Sequence, residues 1–319
     1  MATPGKNPIT RWALRAVGSI VCLALLVRFL PRAALLDALH AISGVQFAAM
    51  LVVYCLIHVC AAAKWWVVLG RRIPFRMAVR THYAGLAANL ILPGATGGDA
   101  VRAVLAHASL KDGPRVTAAA MADRLIDVVS LATLTLAGIV LPGHHVATRD
   151  IVLVVVLLIP AVAIGVATLP KTIPLPWKLF PKLPAKALGL KLAEAFGELG
   201  RRKGMLVFAF AASLSIQLSL MALSYIPAMF MAGHPTFSDW SYAWPLSKII
   251  SFLPISINGL GVREGAMAAM LAPTGASAAT VVASGLVWQG IMFAGSGVGA
   301  LVYLLTPGPQ RAFVKDPAE

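Results

Sequence analysis

Long apolar runs dominate the chain, and short basic or Pro- and Gly-rich stretches separate them. Six runs approach or exceed the roughly 20 residues that cross a hydrocarbon core as a helix. The predicted fold class is therefore an all-α polytopic membrane protein, with a single integral membrane domain over residues 1–319. The six predicted spans are residues 12–30, 45–69, 117–141, 151–169, 204–231 and 276–305.

Two further apolar stretches, 79–105 and 240–271, are interrupted near their centres by Pro and Gly. Irregular backbone at membrane depth needs protein or water around it, because lipid cannot satisfy its N–H and C=O groups. We therefore expect each stretch to form a re-entrant broken helical hairpin, which enters and leaves the membrane on one side and points into the protein.

The connector 170–203 divides the chain into half-repeats at about 1–141 and 151–305. Five prolines occupy its first part, and a helical pattern follows, with apolar residues opposite Lys and Glu. This pattern fits a helix lying on the anionic inner leaflet. It fits a solvated connector helix equally well.

Composition and charge agree with a membrane environment. Hydrophobic residues make up 59% of the chain and charged residues 12%, about half the charged share of a soluble domain. The six-span topology places 20 of the 27 Lys and Arg residues inside, three outside and four at membrane depth. By the positive-inside rule, the protein is expected in the cytoplasmic (inner) membrane as a multi-pass protein with both termini cytoplasmic.

The net charge of +15 does not indicate nucleic acid, because the basic residues lie between apolar runs and not along one polar face. The three cysteines, Cys22, Cys55 and Cys60, lie in apolar runs without C-x-x-C spacing. No metalloprotease, P-loop or esterase motif occurs in the sequence. We therefore expect no metal, no cofactor and no enzymatic activity.

A short internal repeat falls on the two interrupted stretches. Residues 92–102 align without a gap to residues 253–263, with Leu, Pro, Gly, Val and Arg matching at an offset of 161 residues. Because the first half begins inside and the second outside, the halves are predicted to be inverted. Interrupted segments at matching positions of inverted halves indicate the central site of a transporter.

The repeat supplies the candidate substrate-binding residues. A Gly-rich turn that leads into a helix presents backbone N–H groups to a phosphate or carboxylate, and an Arg beyond each tip adds a planar forked donor. Alternatively, the glycines only allow the chain to turn, and Arg102 pairs with Asp99 and Arg263 with Glu264. The predicted substrate-binding residues are Gly97, Gly98, Arg102, Asn258, Gly259, Gly261 and Arg263.

A group of charges is also predicted at membrane depth. Asp123 and Asp127 are four residues apart and share a helix face that Arg124 flanks. Each such charge costs roughly 2.5–3.5 kcal/mol in a span, so the charges should face the interior and be paired. They would relay a proton or hold the arginines in position. The predicted buried charge network is Asp99, Asp123, Arg124, Asp127 and Glu264, with Lys248, Asn89 and Gln289 as lesser candidates.

Three motifs in this order resemble the membrane domain of the lysylphosphatidylglycerol synthetases: residues 89–102, 123–127 and 253–264. The flippase-like family around that domain includes stand-alone proteins of about this length and members associated with hopanoid lipid synthesis. In the synthetases this domain moves an aminoacylated lipid between leaflets, and a separate soluble domain makes that lipid. The chain ends fourteen residues after Leu305, so lipid translocation without lipid synthesis is expected.

The resemblance implies translocation, or flipping, of a lipid with a polar or anionic headgroup. A membrane lipid is then the substrate, and lipid-biosynthesis enzymes are candidate partners. Two other functions stay open. One is a membrane-embedded transferase on a lipid-linked substrate, with Asp99 or Asp127 as its base, and the other is a scaffold subunit of a lipid-synthesis complex.

Overall fold

A computed structural model gives the architecture of the protein. It describes residues 40, 42–89, 97–141, 168–180, 182, 184–251 and 260–306, and isolated positions between 153 and 164. Within these residues the regular structure is helical and there is no β-strand, which confirms the predicted all-α class. The predicted span 12–30, most of 151–169 and both termini lie outside the described residues.

Along the described part of the chain, long helices alternate with pairs of shorter ones. The first half contains α1 (Gly44–Val68), α2 (Phe75–Ala88), α3 (Gly97–Leu110) and α4 (Gly113–Val140). The connector contains α5 (Leu175–Leu179) and α6 (Lys186–Arg201). The second half contains α7 (Lys203–Met229), α8 (Phe237–Ile250), α9 (Val262–Leu271) and α10 (Ala278–Leu305), with a 3-10 turn at Ala272–Thr274.

Three of the described helices, α1, α7 and α10, are long and apolar enough to cross a membrane. They coincide with the predicted spans 45–69, 204–231 and 276–305. The predicted span 117–141 overlaps α4, which is 28 residues long but carries four charged residues, namely Arg115, Asp123, Arg124 and Asp127. The protein is thus a multi-pass membrane protein.

Polar side chains start several of these helices. Ser43 accepts a hydrogen bond from the Gln46 backbone N–H, and the Gln46 side chain accepts one from the Ser43 N–H, which forms a capping box at α1. Thr236 caps α8 and Ser277 caps α10 in the simpler way, through one side-chain oxygen. These caps fix where the chain enters each helix.

The two interrupted stretches form pairs of short helices. Helices α2 and α3 have 14 residues each, and α8 and α9 have 14 and 10. At 1.5 Å per residue, 14 residues extend about 21 Å, less than the roughly 30 Å hydrocarbon core. Helix α2 packs on α3, and α8 packs on α9, as a broken hairpin requires. Residues 90–96 and 252–259, which lie between the helices of each pair in the sequence, are outside the described residues.

Each half places its hairpin against a long helix of the other half. Helix α4 packs on α8, and α10 packs on α2. A glycine permits each close approach, because a Cβ on Gly138 would meet the Tyr242 N at 2.5 Å and one on Gly299 would meet the Tyr83 O at 2.6 Å. Gly138 and Gly299 are themselves 161 residues apart, the offset of the sequence repeat. The opposite orientation of the two halves in the membrane stays a prediction.

The connector helix α6 lies against the start of α4. Its Phe196 and Leu199 are buried in a cluster with Ala118 and Ala122. The Arg115 Nη2 donates to a Glu198 carboxylate oxygen at 2.6 Å, and this hydrogen bond, together with the arginine charge, lowers the pKa of Glu198. Part of the apolar face of α6 therefore contacts protein and neither lipid nor solvent.

Candidate functional site

A cavity of about 170 Å³ lies between the two halves. Side chains from α1 to α4 and from α7 to α10 line it, so both halves and both hairpins contribute to its wall. One part of the wall is aromatic, with Tyr54, Trp244 and Trp288. The rest carries eight charged residues, namely Lys64, Asp99, Arg102, Asp123, Arg124, Asp127, Lys248 and Arg263.

Lys64 lies at the centre of the charged cluster. Its Nζ, on α1, is 3.0 Å from a carboxylate oxygen of Asp123 and 2.5 Å from one of Asp127, both on α4. Ser213 of α7 donates a hydrogen bond to the same Asp127 oxygen at 2.5 Å. The four-residue spacing of the two aspartates presents both carboxylates to one lysine.

Arg102 connects this cluster to the hairpin helix α3. Its Nη2 is 2.8 Å from Asp123 and 3.2 Å from Asp99, and its guanidinium lies 4.3 Å from the centre of the Trp65 ring. Arg124 forms an ion pair with Asp99. The cluster therefore brings together three cations and three carboxylates, which are Lys64, Arg102, Arg124, Asp99, Asp123 and Asp127.

Two histidines extend the cluster along α1 and α2. The His58 Nδ1 is 3.1 Å from the His82 Nε2, and the His82 Nδ1 is 3.5 Å from the Arg102 Nη1. Because arginine only donates, the His82 Nδ1 accepts, and the His82 N–H is assigned to Nε2 and donates to His58. A continuous chain of polar contacts thus runs from His58 to the central carboxylates.

The second half contributes a separate ion pair. The Arg263 Nη2 lies 2.5 Å from Glu264 Oε1 and 3.3 Å from Gln289 Oε1. The Glu264 side chain is fully buried, and its second oxygen accepts the backbone N–H of Gly261 at 2.8 Å. Gly261 has φ +79°, a backbone conformation that favours glycine. A Cβ on Gly285 would meet the Glu264 Cγ at 2.6 Å, so a glycine of α10 makes room for this carboxylate.

Lys248 of α8 has a different environment from the other four cations. Its Nζ donates to the Gln217 Oε1 of α7 at 2.8 Å and lies 4.9 Å from the centre of the Trp244 ring. Within the part of the chain that the structure describes, no carboxylate forms an ion pair with it.

The predicted substrate-binding residues fall into three groups. Arg102 and Arg263 line the same cavity, and both pair with carboxylates, including the Asp99 and Glu264 of the alternative interpretation. Gly97 begins α3, while the Gly98 N–H donates to Asn89 at 2.9 Å and the Gly261 N–H to Glu264. Asn258 and Gly259 lie outside the described residues. A substrate-binding role for these seven residues stays a prediction.

Gly98 has a packing role that its sequence context did not indicate. Helices α2 and α3 are so close that a Cβ on Gly98 would collide with the Gly85 carbonyl, and one on Gly85 would lie 2.7 Å from the Gly98 O. The pair of glycines therefore lets the two arms of the first hairpin touch.

Sequence reasoning missed Lys64, His58 and His82 as members of the cluster. Lys64 carried one usable signal, since it is the lone charged residue in the apolar span 45–69, and such charges mark functional sites. Nothing in the sequence pairs His58 with His82, 24 residues further on. Within the described ranges, no group of His, Cys, Asp and Glu is placed to hold a metal ion.

The fold and the cavity together define a multi-pass α-helical membrane protein with a polar site at the junction of two halves that have the same order of long and short helices. The sequence model of the lysylphosphatidylglycerol synthase TM region matches residues 12–299. The chain belongs to this family, which confirms the resemblance and connects the protein with membrane lipids. A comparison with curated proteins finds no match. Membership of the hopanoid-associated branch stays a prediction.

Proposed function

We propose that the protein translocates a lipid with a polar or anionic headgroup between the leaflets of the cytoplasmic membrane. The observation that carries this proposal is the position of the cavity, which both halves and both hairpins line. A site between two repeated halves is exposed to alternate sides when one half rocks against the other. A polar cavity inside an apolar bundle also gives a headgroup what the hydrocarbon core lacks, since lipid offers no hydrogen-bond partners.

The charged cluster favours translocation over a transferase reaction. A transferase would use Asp99 or Asp127 as its base, but Asp99 is paired with Arg102 and Arg124, and Asp127 with Lys64 and Ser213. A carboxylate held by cations in this way is poorly placed to remove a proton from a substrate. A scaffold subunit, for its part, would have no need for a cavity with eight charged residues at membrane depth.

A leaflet assay tests the proposal. Purified protein is reconstituted in liposomes that contain a fluorescent lipid with its label on the headgroup, and a membrane-impermeant quencher is then added outside. We expect quenching to continue past the outer-leaflet fraction in protein-containing liposomes and to stop there in protein-free ones. If folded, monodisperse protein leaves the inner-leaflet lipid protected for anionic, zwitterionic and neutral headgroups alike, the proposal is rejected. Recovery of a chemically altered headgroup would instead support the transferase.

The same assay tests the two predicted arginines. Arg102→Lys and Arg263→Lys preserve the charge but remove the planar fork, which donates two parallel hydrogen bonds to one oxyanion. We expect slower lipid movement in each variant, once each is shown to be folded and monodisperse. If both folded variants move lipid at the wild-type rate, the two arginines do not bind the headgroup, and the repeat then has only a structural role.

A further inference from the structure

Among the residues that the structure describes, the charges around the cavity do not balance. Five cations line it, together with the carboxylates of Asp99, Asp123 and Asp127. The first-half cluster has equal numbers of both signs, and Arg263 pairs with Glu264 just behind the wall. The five cations and four carboxylates leave one positive charge, and that charge is on Lys248.

Lys248 is also incompletely hydrogen-bonded. An ammonium group has three N–H donors. Among the described residues, Gln217 accepts one of them, and the Trp244 ring offers its face to the charge. The remaining donors and the surplus charge belong to the same atom, in the wall of the same cavity.

Two stretches that follow lining residues in the sequence contain no acidic residue that could supply the missing counter-charge. Residues 90–96 and 252–259 continue directly from the lining residues Asn89 and Ser251, and neither segment contains an Asp or a Glu. On α8 itself the acidic residue is Asp239, in the first turn and nine positions before Lys248. Nine residues correspond to about 13 Å along a helix, far beyond contact.

We propose that Lys248 is the anion-recognition residue of the cavity and that it selects headgroups whose net charge is one negative, carried by a phosphodiester oxyanion. Lys248 is half-buried. A cation held partly out of water without a counter-charge is unfavourable, so a single anionic oxygen placed at its free N–H groups relieves that cost. A doubly charged headgroup would leave one charge uncompensated, and a zwitterionic one would add a second cation. This inference rests on the proposed function, because it treats the occupant of the cavity as a lipid headgroup.

Binding of defined lipids to the full-length protein tests the proposal. The probes are phosphatidylglycerol with one negative charge, zwitterionic phosphatidylcholine, and soluble glycerophosphoglycerol as a phosphodiester without acyl chains. Thermal protection of the purified protein is titrated for wild type, Lys248→Met, Lys248→Arg and the exposed control Lys178→Met. We expect phosphatidylglycerol to protect wild type at a concentration lower than phosphatidylcholine does. Lys248→Met should raise that concentration by about tenfold or more, the loss expected for a charge-assisted contact.

The variants separate charge from folding. Lys248→Arg keeps a cation at the site and should retain the preference, while Lys178→Met changes a surface lysine by the same substitution and should match wild type. If Lys248→Met is folded and binds phosphatidylglycerol as wild type does, the proposal is wrong. Protection by the soluble phosphodiester but not by the lipid would also overturn it, because the occupant would then be a soluble anion.

This result is independent of the leaflet assay. Loss of the preference in Lys248→Met supports Lys248 as the recognition residue even if wild type moves no lipid, an outcome that would reject translocation alone. Conversely, lipid movement with unchanged preference in Lys248→Met would keep the proposed function and reject the role of Lys248.

Discussion

Removing Lys64 should destabilise the protein more than removing any exposed lysine, because Lys64 neutralises two carboxylates at once. Its side chain is 4% exposed and contacts Asp123 and Asp127, which are 2% and 13% exposed. Breaking a buried ion pair from one side costs roughly 3–5 kcal/mol, since the remaining charge is left without compensation. Lys64→Met preserves apolar bulk and removes only the charge.

The structure places the expected cost near the lower end of that range. In Lys64→Met, Asp123 keeps its 2.8 Å contact with Arg102, whereas Asp127 loses its 2.5 Å contact with Lys64 and keeps the hydrogen bond from the Ser213 hydroxyl. The Asp127 carboxylate therefore loses its cation. It borders the cavity, so water can partly solvate the charge that remains. We expect a loss of about 3 kcal/mol. At roughly 2 °C per kcal/mol for a chain of a few hundred residues, the midpoint of thermal unfolding should fall by about 6 °C.

The assay is thermal unfolding of the purified protein in detergent, with Lys178→Met on α5 as the matched control. A second variant, Lys64→Met with Asp127→Asn, removes the stranded charge and should recover most of the lost stability. A midpoint for Lys64→Met equal to that of the control would contradict the buried network. A double variant no more stable than the single one would show that Lys64 and Asp127 are not coupled.

Three further outcomes follow from the packing, the connector and the topology. Gly138→Ala should lower stability by about 1–3 kcal/mol, because the added Cβ would meet the α8 backbone. Gly297→Ala is the control and should be neutral in the same unfolding assay, because its Cβ would meet nothing within 4 Å. Arg115 lowers the pKa of Glu198 in the folded protein. The Arg115–Glu198 contact therefore stabilises α6 at pH values above the unfolded pKa of the carboxyl group, and this stabilisation is lost as the pH falls through the lowered folded-state pKa. Proteolysis of α6 should therefore speed up on acidification in wild type and change less in Glu198→Gln. A cysteine at Arg71 should resist an impermeant thiol reagent on intact cells while one at His234 reacts, and equal labelling of the two would contradict the predicted topology.

The sequence was sufficient for the helical architecture but not for the contacts within the site. Apolar run length and the Pro and Gly interruptions placed the long helices and the hairpins, because both properties are local. The i,i+4 spacing of Asp123 and Asp127 is also local, and it correctly put both carboxylates on one face. The pairing of Asp127 with Lys64, 63 residues away, was not expected from the sequence. Periodicity tells which side of a helix is polar, and not which other helix meets that side.

The two halves have the same order of long and short helices but differ in chemistry. Positions 161 residues after Asp123 and Asp127 are Ser284 and Trp288, so the charged face of α4 corresponds to a neutral, partly aromatic face of α10. Likewise, the position 161 residues before Lys248 is Ala87. A fully symmetric set of side chains would give the cavity equal charge on both sides and no single anion site. Because the counterpart of Lys248 is an alanine, the surplus positive charge belongs to the second half alone. The proposed anion therefore lies next to α8 and Trp244, on the side of the cavity that the second half lines.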